Sequence, residues 1–173
     1  MLCKDGYAIV KRKPDKDNNP LSTSYFGIDQ EPILYKGYHE SRKVFNEKKF
    51  CVKESWLGLD GQPITNGDTY VKVVKDFDDV GNTILCEYYD AEDHLILCEN
   101  GYARYKAKYN ENKQQIWCEY FGKDDQPMVY KGYTIRTREY DGNGNVTVEK
   151  YFDADGNSVL CMAFLVFIAE RGT

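Results

Sequence analysis

Short runs of alternating apolar and polar residues, each closed by Asp, Asn or Gly, fill this chain. In Tyr102–Tyr109 (YARYKAKY) the alternation places Ala103, Tyr105, Ala107 and Tyr109 on one side and Arg104, Lys106 and Lys108 on the other. A period of two is that of a half-buried strand. Asn110-Glu-Asn-Lys-Gln then turns the chain, and Gln115–Phe121 returns with Ile116, Cys118 and Tyr120 alternating against Trp117, Glu119 and Phe121. A second turn, 122–126, leads to a short strand at Pro127–Tyr130. Asp and Asn favour such turns because their side chains bond back to nearby backbone, and Gly supplies positive φ. No segment holds a helical period, so the pattern predicts an all-β chain of about three strands per unit in an antiparallel meander.

The pattern repeats. Tyr7, Tyr38, Tyr70, Tyr102 and Tyr133 lie 31 or 32 residues apart, four of them directly after Gly. Seven residues on come Pro14, Phe45, Phe77, Tyr109 and Tyr140, and eleven further on Tyr25, Trp56, Tyr88, Tyr120 and Tyr151. The register gives units 25–55, 56–87, 88–119 and 120–150, with partial units 1–24 and 151–173. The whole is one repeat domain, an antiparallel β-hairpin repeat array, solenoid-like or an extended meander sheet. The partial units read as a piece of a longer array. One unit cannot bury its aromatics alone, whereas neighbours can bury them in ladders of same-position rings. Segments three units apart are the most alike: Glu31–Tyr38 (EPILYKGY) matches Gln126–Tyr133 (QPMVYKGY) at an offset of 95 residues. Three units per superhelical turn, or duplication of a three-unit block, would each produce that likeness.

Composition narrows the function. Fifteen tyrosines among 173 residues suit half-buried sheet surfaces. A net charge of −5 disfavours a nucleic-acid partner. Residues 159–169 are apolar but too few to span a bilayer, so no transmembrane segment is expected; they read as a buried strand, a cap, or the truncated start of something longer. The six cysteines follow the repeat: Cys3, Cys98 and Cys161 share one position, Cys86 and Cys118 another, and Cys51 stands alone. Without a C-x-x-C pair they read as buried thiols, with disulfides as the alternative. Asp141-Gly-Asn-Gly-Asn145 begins like a calcium loop, but Val146 and Phe152 stand where Gly and Glu are required, so it reads as a turn. No metal or cofactor is expected. The two histidines, His39 and His94, occupy different repeat positions, and no nucleophile motif accompanies them, so no catalytic residue is assigned.

Tyr140-Asp-Gly-Asn-Gly-Asn145, followed by Phe152-Asp-Ala-Asp-Gly-Asn157, resembles the Tyr-Asp repeats of the Rhs family, bacterial surface and toxin-delivery proteins whose repeats form hairpin sheets and shells. Tyr88-Tyr-Asp90 followed by Gly101-Tyr102 is similar, more weakly, to choline-binding-type cell-wall repeats, in which ligands sit in aromatic cages between hairpins. Both resemblances imply a bacterial β-hairpin array at the cell surface or outside it, although free thiols suit a reducing, cytoplasmic setting. Aromatic cages hold quaternary ammonium groups or stack on sugars. The candidate ligand-binding residues are therefore Trp56, Trp117, Tyr88, Tyr102 and Tyr120. The expectation is a non-catalytic module of a larger surface or envelope protein that binds a glycan, cell-wall or protein partner. The alternatives are a structural spacer or shell without ligand and, third, a glycan-active enzyme using turn carboxylates.

Overall fold

The computed structural model describes residues 6–160. They form one ten-stranded antiparallel sheet in which each strand pairs with its sequence neighbours. In order the strands are β1 (Ile9–Pro14), β2 (Pro20–Phe26), β3 (Glu40–Phe45), β4 (Cys51–Leu57), β5 (Lys72–Phe77), β6 (Thr83–Tyr89), β7 (Arg104–Tyr109), β8 (Gln115–Phe121), β9 (Ile135–Tyr140) and β10 (Val146–Phe152). Among the described residues the sheet does not close, and β1 and β10 lie at its two ends. Among the described residues there is no helix. The array is thus an extended meander of hairpin repeats, as the alternation predicts.

Each unit contributes two strands where three were expected. The segment Pro127–Tyr130 forms only isolated bridges, Phe121 to Pro127 and Tyr130 to Tyr133. The reason is local. Met128 N–H donates to the Tyr120 carbonyl (2.9 Å), and within two residues the Tyr130–Tyr133 turn reverses the chain. No room remains for a ladder.

The hairpin tips share one design. In the β5–β6 tip, Asp78 Oδ1 accepts from the backbone N–H groups of Val80 (3.1 Å) and Asn82 (2.8 Å). In the β9–β10 tip, Asp141 Oδ1 accepts from those of Asn143 and Asn145, both 2.9 Å. The carboxylate that a calcium reading would point outward is turned onto its own backbone. The fourth tip residue takes positive φ in all five hairpins: Asn18, Lys49, Gly81, Lys113 and Gly144.

The change in period lies in the connectors between units. Tyr35–Tyr38 and Tyr130–Tyr133 close two-residue turns with positive φ at Lys36 and Gly37, and at Lys131 and Gly132. Between them, Cys98 N–H reaches the Tyr102 carbonyl across one more residue. The 95-residue likeness thus corresponds to a shared turn length. Two clusters of buried side chains lie on one face of the sheet, one built on Trp56, Val73 and Cys86 and one on Ala107, Cys118, Tyr120 and Tyr133.

Candidate functional site: an aromatic ladder and the face behind it

Strand alternation sends Tyr25, Trp56, Tyr88, Tyr120 and Tyr151 to the same face from alternate strands. The connectors lay Tyr7, Tyr38, Tyr70, Tyr102 and Tyr133 between them. The two sets interleave into one ladder, with successive ring centroids 4.6–6.4 Å apart from Tyr7 to Tyr151. Tilted and edge-on rings at these distances attract through their quadrupoles. Two positions of the repeat therefore alternate, where the sequence predicted stacks of a single position. Tyr35 and Tyr130, which the spacing pattern passes over, flank the ladder at 4.5 Å from Tyr25 and 4.4 Å from Tyr120. Their only sequence signal is the Tyr-Lys-Gly-Tyr step they share.

Four of the five candidate binding residues lie in this ladder. Trp56 is 4% exposed and Tyr120 9%, while Tyr88 and Tyr102 are partly buried between neighbouring rings. Burial is the main cause that pushes the Tyr102 hydroxyl up to about 12, and it pushes Tyr88 and Tyr120 further still. Each of these rings touches another ring on two sides, so no ligand-sized gap separates them. Under the ladder lie Cys86, Cys98 and Cys118, all buried; Cys118 is 1% exposed, with Sγ 3.6 Å from the Tyr120 hydroxyl. The four described cysteines are free thiols. Cys3 and Cys161 lie outside the described residues, as does the apolar run from residue 161 onward.

Trp117 is the exception. It pairs with Lys108 across β7–β8, on the face opposite the ladder, and is half-buried. Lys108 Nζ sits 5.0 Å from its ring centroid. Ile84, Leu85, Lys106 and Tyr109 line a shallow open depression beside it. The same face carries Lys11 over Phe26 and Lys72 over Tyr89, both at 4.2 Å, and Lys106 over Phe121 at 4.7 Å. Such contacts anchor lysine stems over apolar rings while the ammonium stays wet.

Charge on this face is arranged by position. Arg104 opens β7 and pairs with Glu87 (2.6 Å) and with Asp125. Lys72 opens β5 and pairs with Asp93. Asp93 and Asp125 each hold the fourth place of the turn that follows the second strand of a hairpin, β6 and β8, with φ of 65° and 60°. At the same place in two other units stand Gly61 and Gly156, facing Glu40 and Ile135 at the start of β3 and β9. In the turn after β2 the same place is held by Gln30, also at positive φ (64°), so the position takes glycine, glutamine or aspartate, and the two aspartates are the ones paired with a cation.

The histidines are structural or exposed. His39 Nδ1 lies 3.2 Å from the Ile33 carbonyl, and its ring stands edge-on to Phe26. His94 is exposed and lies 3.5 Å from Asp90 of its own turn. Among the described residues no group of three His, Cys, Asp or Glu side chains converges on a point that could hold a metal ion, and no helix is long and apolar enough to cross a membrane. No protein-family model matches the chain, and comparison with characterised proteins finds no match.

Proposed function

We propose that this chain is a non-catalytic repeat module whose aromatic ladder is a structural spine, making the units a stiff spacer within a larger protein. The observation that carries this reading is the continuity of the ladder. Rings that fill each other's van der Waals surface from Tyr7 to Tyr151 leave no cage for a ligand, and Trp56 and Tyr120 are almost sealed from solvent. The likeness to Tyr-Asp and cell-wall repeats supports placing such a module in a bacterial surface or envelope protein.

One observation favours a second reading, a binding module for a glycan, cell-wall or protein partner. Trp117 stands off the ladder beside an open apolar depression. A screen of glycans and cell-wall fragments against the intact chain and Trp117→Ala separates the two. The spacer reading expects no saturable binding. Saturable binding that disappears in Trp117→Ala would replace it with the binding reading.

A further inference from the structure

Three connectors that lead into a ladder tyrosine are closed by a backbone hydrogen bond onto that tyrosine's carbonyl: Tyr35 to Tyr38 (2.7 Å), Cys98 to Tyr102 (2.9 Å) and Tyr130 to Tyr133 (2.7 Å). In each of them glycine directly precedes the ladder tyrosine. The connector into Tyr70 departs from this design. It reads Thr65-Asn66-Gly67-Asp68-Thr69, with its glycine three residues before Tyr70, and among the described residues no backbone hydrogen bond closes it. The Gly67 N–H has no acceptor among the described residues. We propose that Asn66-Gly67 is a site of spontaneous covalent modification, at which the chain deamidates through a cyclic imide and isomerises.

The chemistry needs only water. The Gly67 nitrogen gives its proton to solvent and attacks Asn66 Cγ. The new N–C bond closes a five-membered ring, the Cγ–Nδ2 bond breaks, and ammonia leaves with a proton from solvent. Water then opens the ring at either carbonyl, leaving aspartate or isoaspartate at position 66. Two features favour the attack. Asp68 N–H donates to Asn66 Oδ1 (3.4 Å), the oxygen on which negative charge develops. Gly67 carries no Cβ, and nothing lies within 4 Å of the place one would occupy.

The fold distinguishes this step from the other two Asn-Gly steps of the chain, Asn100-Gly101 and Asn143-Gly144. Gly101 N–H donates to the Cys98 carbonyl (2.8 Å) and Gly144 N–H to that of Asp141 (3.1 Å), and each bond must break before its nitrogen can react. Exposure would rank the three in the opposite order, because Asn100 and Asn143 are exposed and Asn66 is half-buried.

Conversion acts on the spine. In place of a closing bond, side chains tie this connector to the next one. Asp68 Oδ1 accepts from the N–H groups of Thr69 (2.8 Å) and Glu99 (3.2 Å), and Thr69 Oγ1 donates to the Leu97 carbonyl. These bonds steady Tyr70 between Trp56 and Tyr88, with ring centroids 5.7 and 4.6 Å away. A new carboxylate beside Asp68, or the extra backbone methylene of isoaspartate, loosens that attachment at the middle of the ladder.

The test incubates the intact chain in mildly alkaline buffer and maps its peptides by mass spectrometry over time. Asn66 should convert faster than Asn100 and Asn143 by about fivefold or more, the rate equivalent of one hydrogen bond. In urea the three should convert at similar rates. Conversion of Asn100 or Asn143 in the folded chain as fast as that of Asn66, or the same preference for Asn66 in urea, would overturn the assignment. Hydrogen exchange of the converted chain should speed up at residues 64–70 and 97–99, and unchanged exchange there would overturn the effect on the ladder.

Discussion

Burial keeps Tyr88, Tyr102 and Tyr120 of this ladder neutral to a higher pH than a free phenol, and the consequence is a stability that falls at alkaline pH. Burial raises Tyr102 to about 12 and Tyr88 and Tyr120 beyond that. A group raised in the folded state holds its full contribution below its unfolded value, about 10 for tyrosine, and loses it as pH climbs through the folded value. Stability should therefore be flat up to about pH 10 and fall between about 10 and 12. Absorbance titration should show these phenolates appearing together with loss of the β signal in circular dichroism. Ionisation of all fifteen tyrosines near pH 10 with the fold intact would contradict the burial described. The sequence revealed which aromatic positions recur but not how they meet. Spacings of seven and eleven fix phase along the chain, whereas the interleaving of Tyr38, Trp56 and Tyr70 depends on how each connector lies across its own strand. Trp56 falls on the recurring spacing and Trp117 does not, and strand parity puts Trp56 in the ladder and Trp117 on the opposite face.

At the scale of an element, the turns carry the sharpest expectation. Gly61 has φ of 76° and nothing within 4 Å of the place a Cβ would occupy. Gly61→Ala should thus cost about 1 kcal/mol from backbone strain alone. Asp125→Gly relieves the same strain but deprives Arg104 of one of its two carboxylates, so its net effect should lie within about 0.5 kcal/mol of zero. Urea unfolding of the two variants checks the difference; a loss in Asp125→Gly as large as that in Gly61→Ala would mean that the ion pair outweighs the backbone strain, and a gain of about 1 kcal/mol that it does not offset that strain at all. Strand alternation and Asp/Asn/Gly turns made the two strands of each unit legible, Gln115–Phe121 to the residue. The expected third strand failed because pairing needs length, and the connector spends its residues reversing direction. The link from strand to turn, Lys72 to Asp93 and Arg104 to Asp125, is visible as a spacing of 21 residues, but only once the hairpin geometry gives that spacing a meaning.

The whole molecule is a row in which each strand packs mainly on its sequence neighbours, so stability should be local and graded along it. β1 and β2 hold no fully buried residue, whereas β8 holds Cys118, Tyr120 and Phe121. Hydrogen exchange followed by mass spectrometry should find the β1–β2 amides exchanging well before those of β7–β8, and uniform protection would argue for a single cooperative unit. The repeat register, and with it the sheet order, could be read from the aromatic spacings; the single-layered, open form could not, because the same spacings fit a solenoid. The most direct test of the spine compares the two tryptophans by urea unfolding. Trp56→Ala, which opens the ladder, should lose about 3–5 kcal/mol, and Trp117→Ala, on the opposite face, about 1 kcal/mol. Equal losses, or a larger loss at Trp117, would contradict the account.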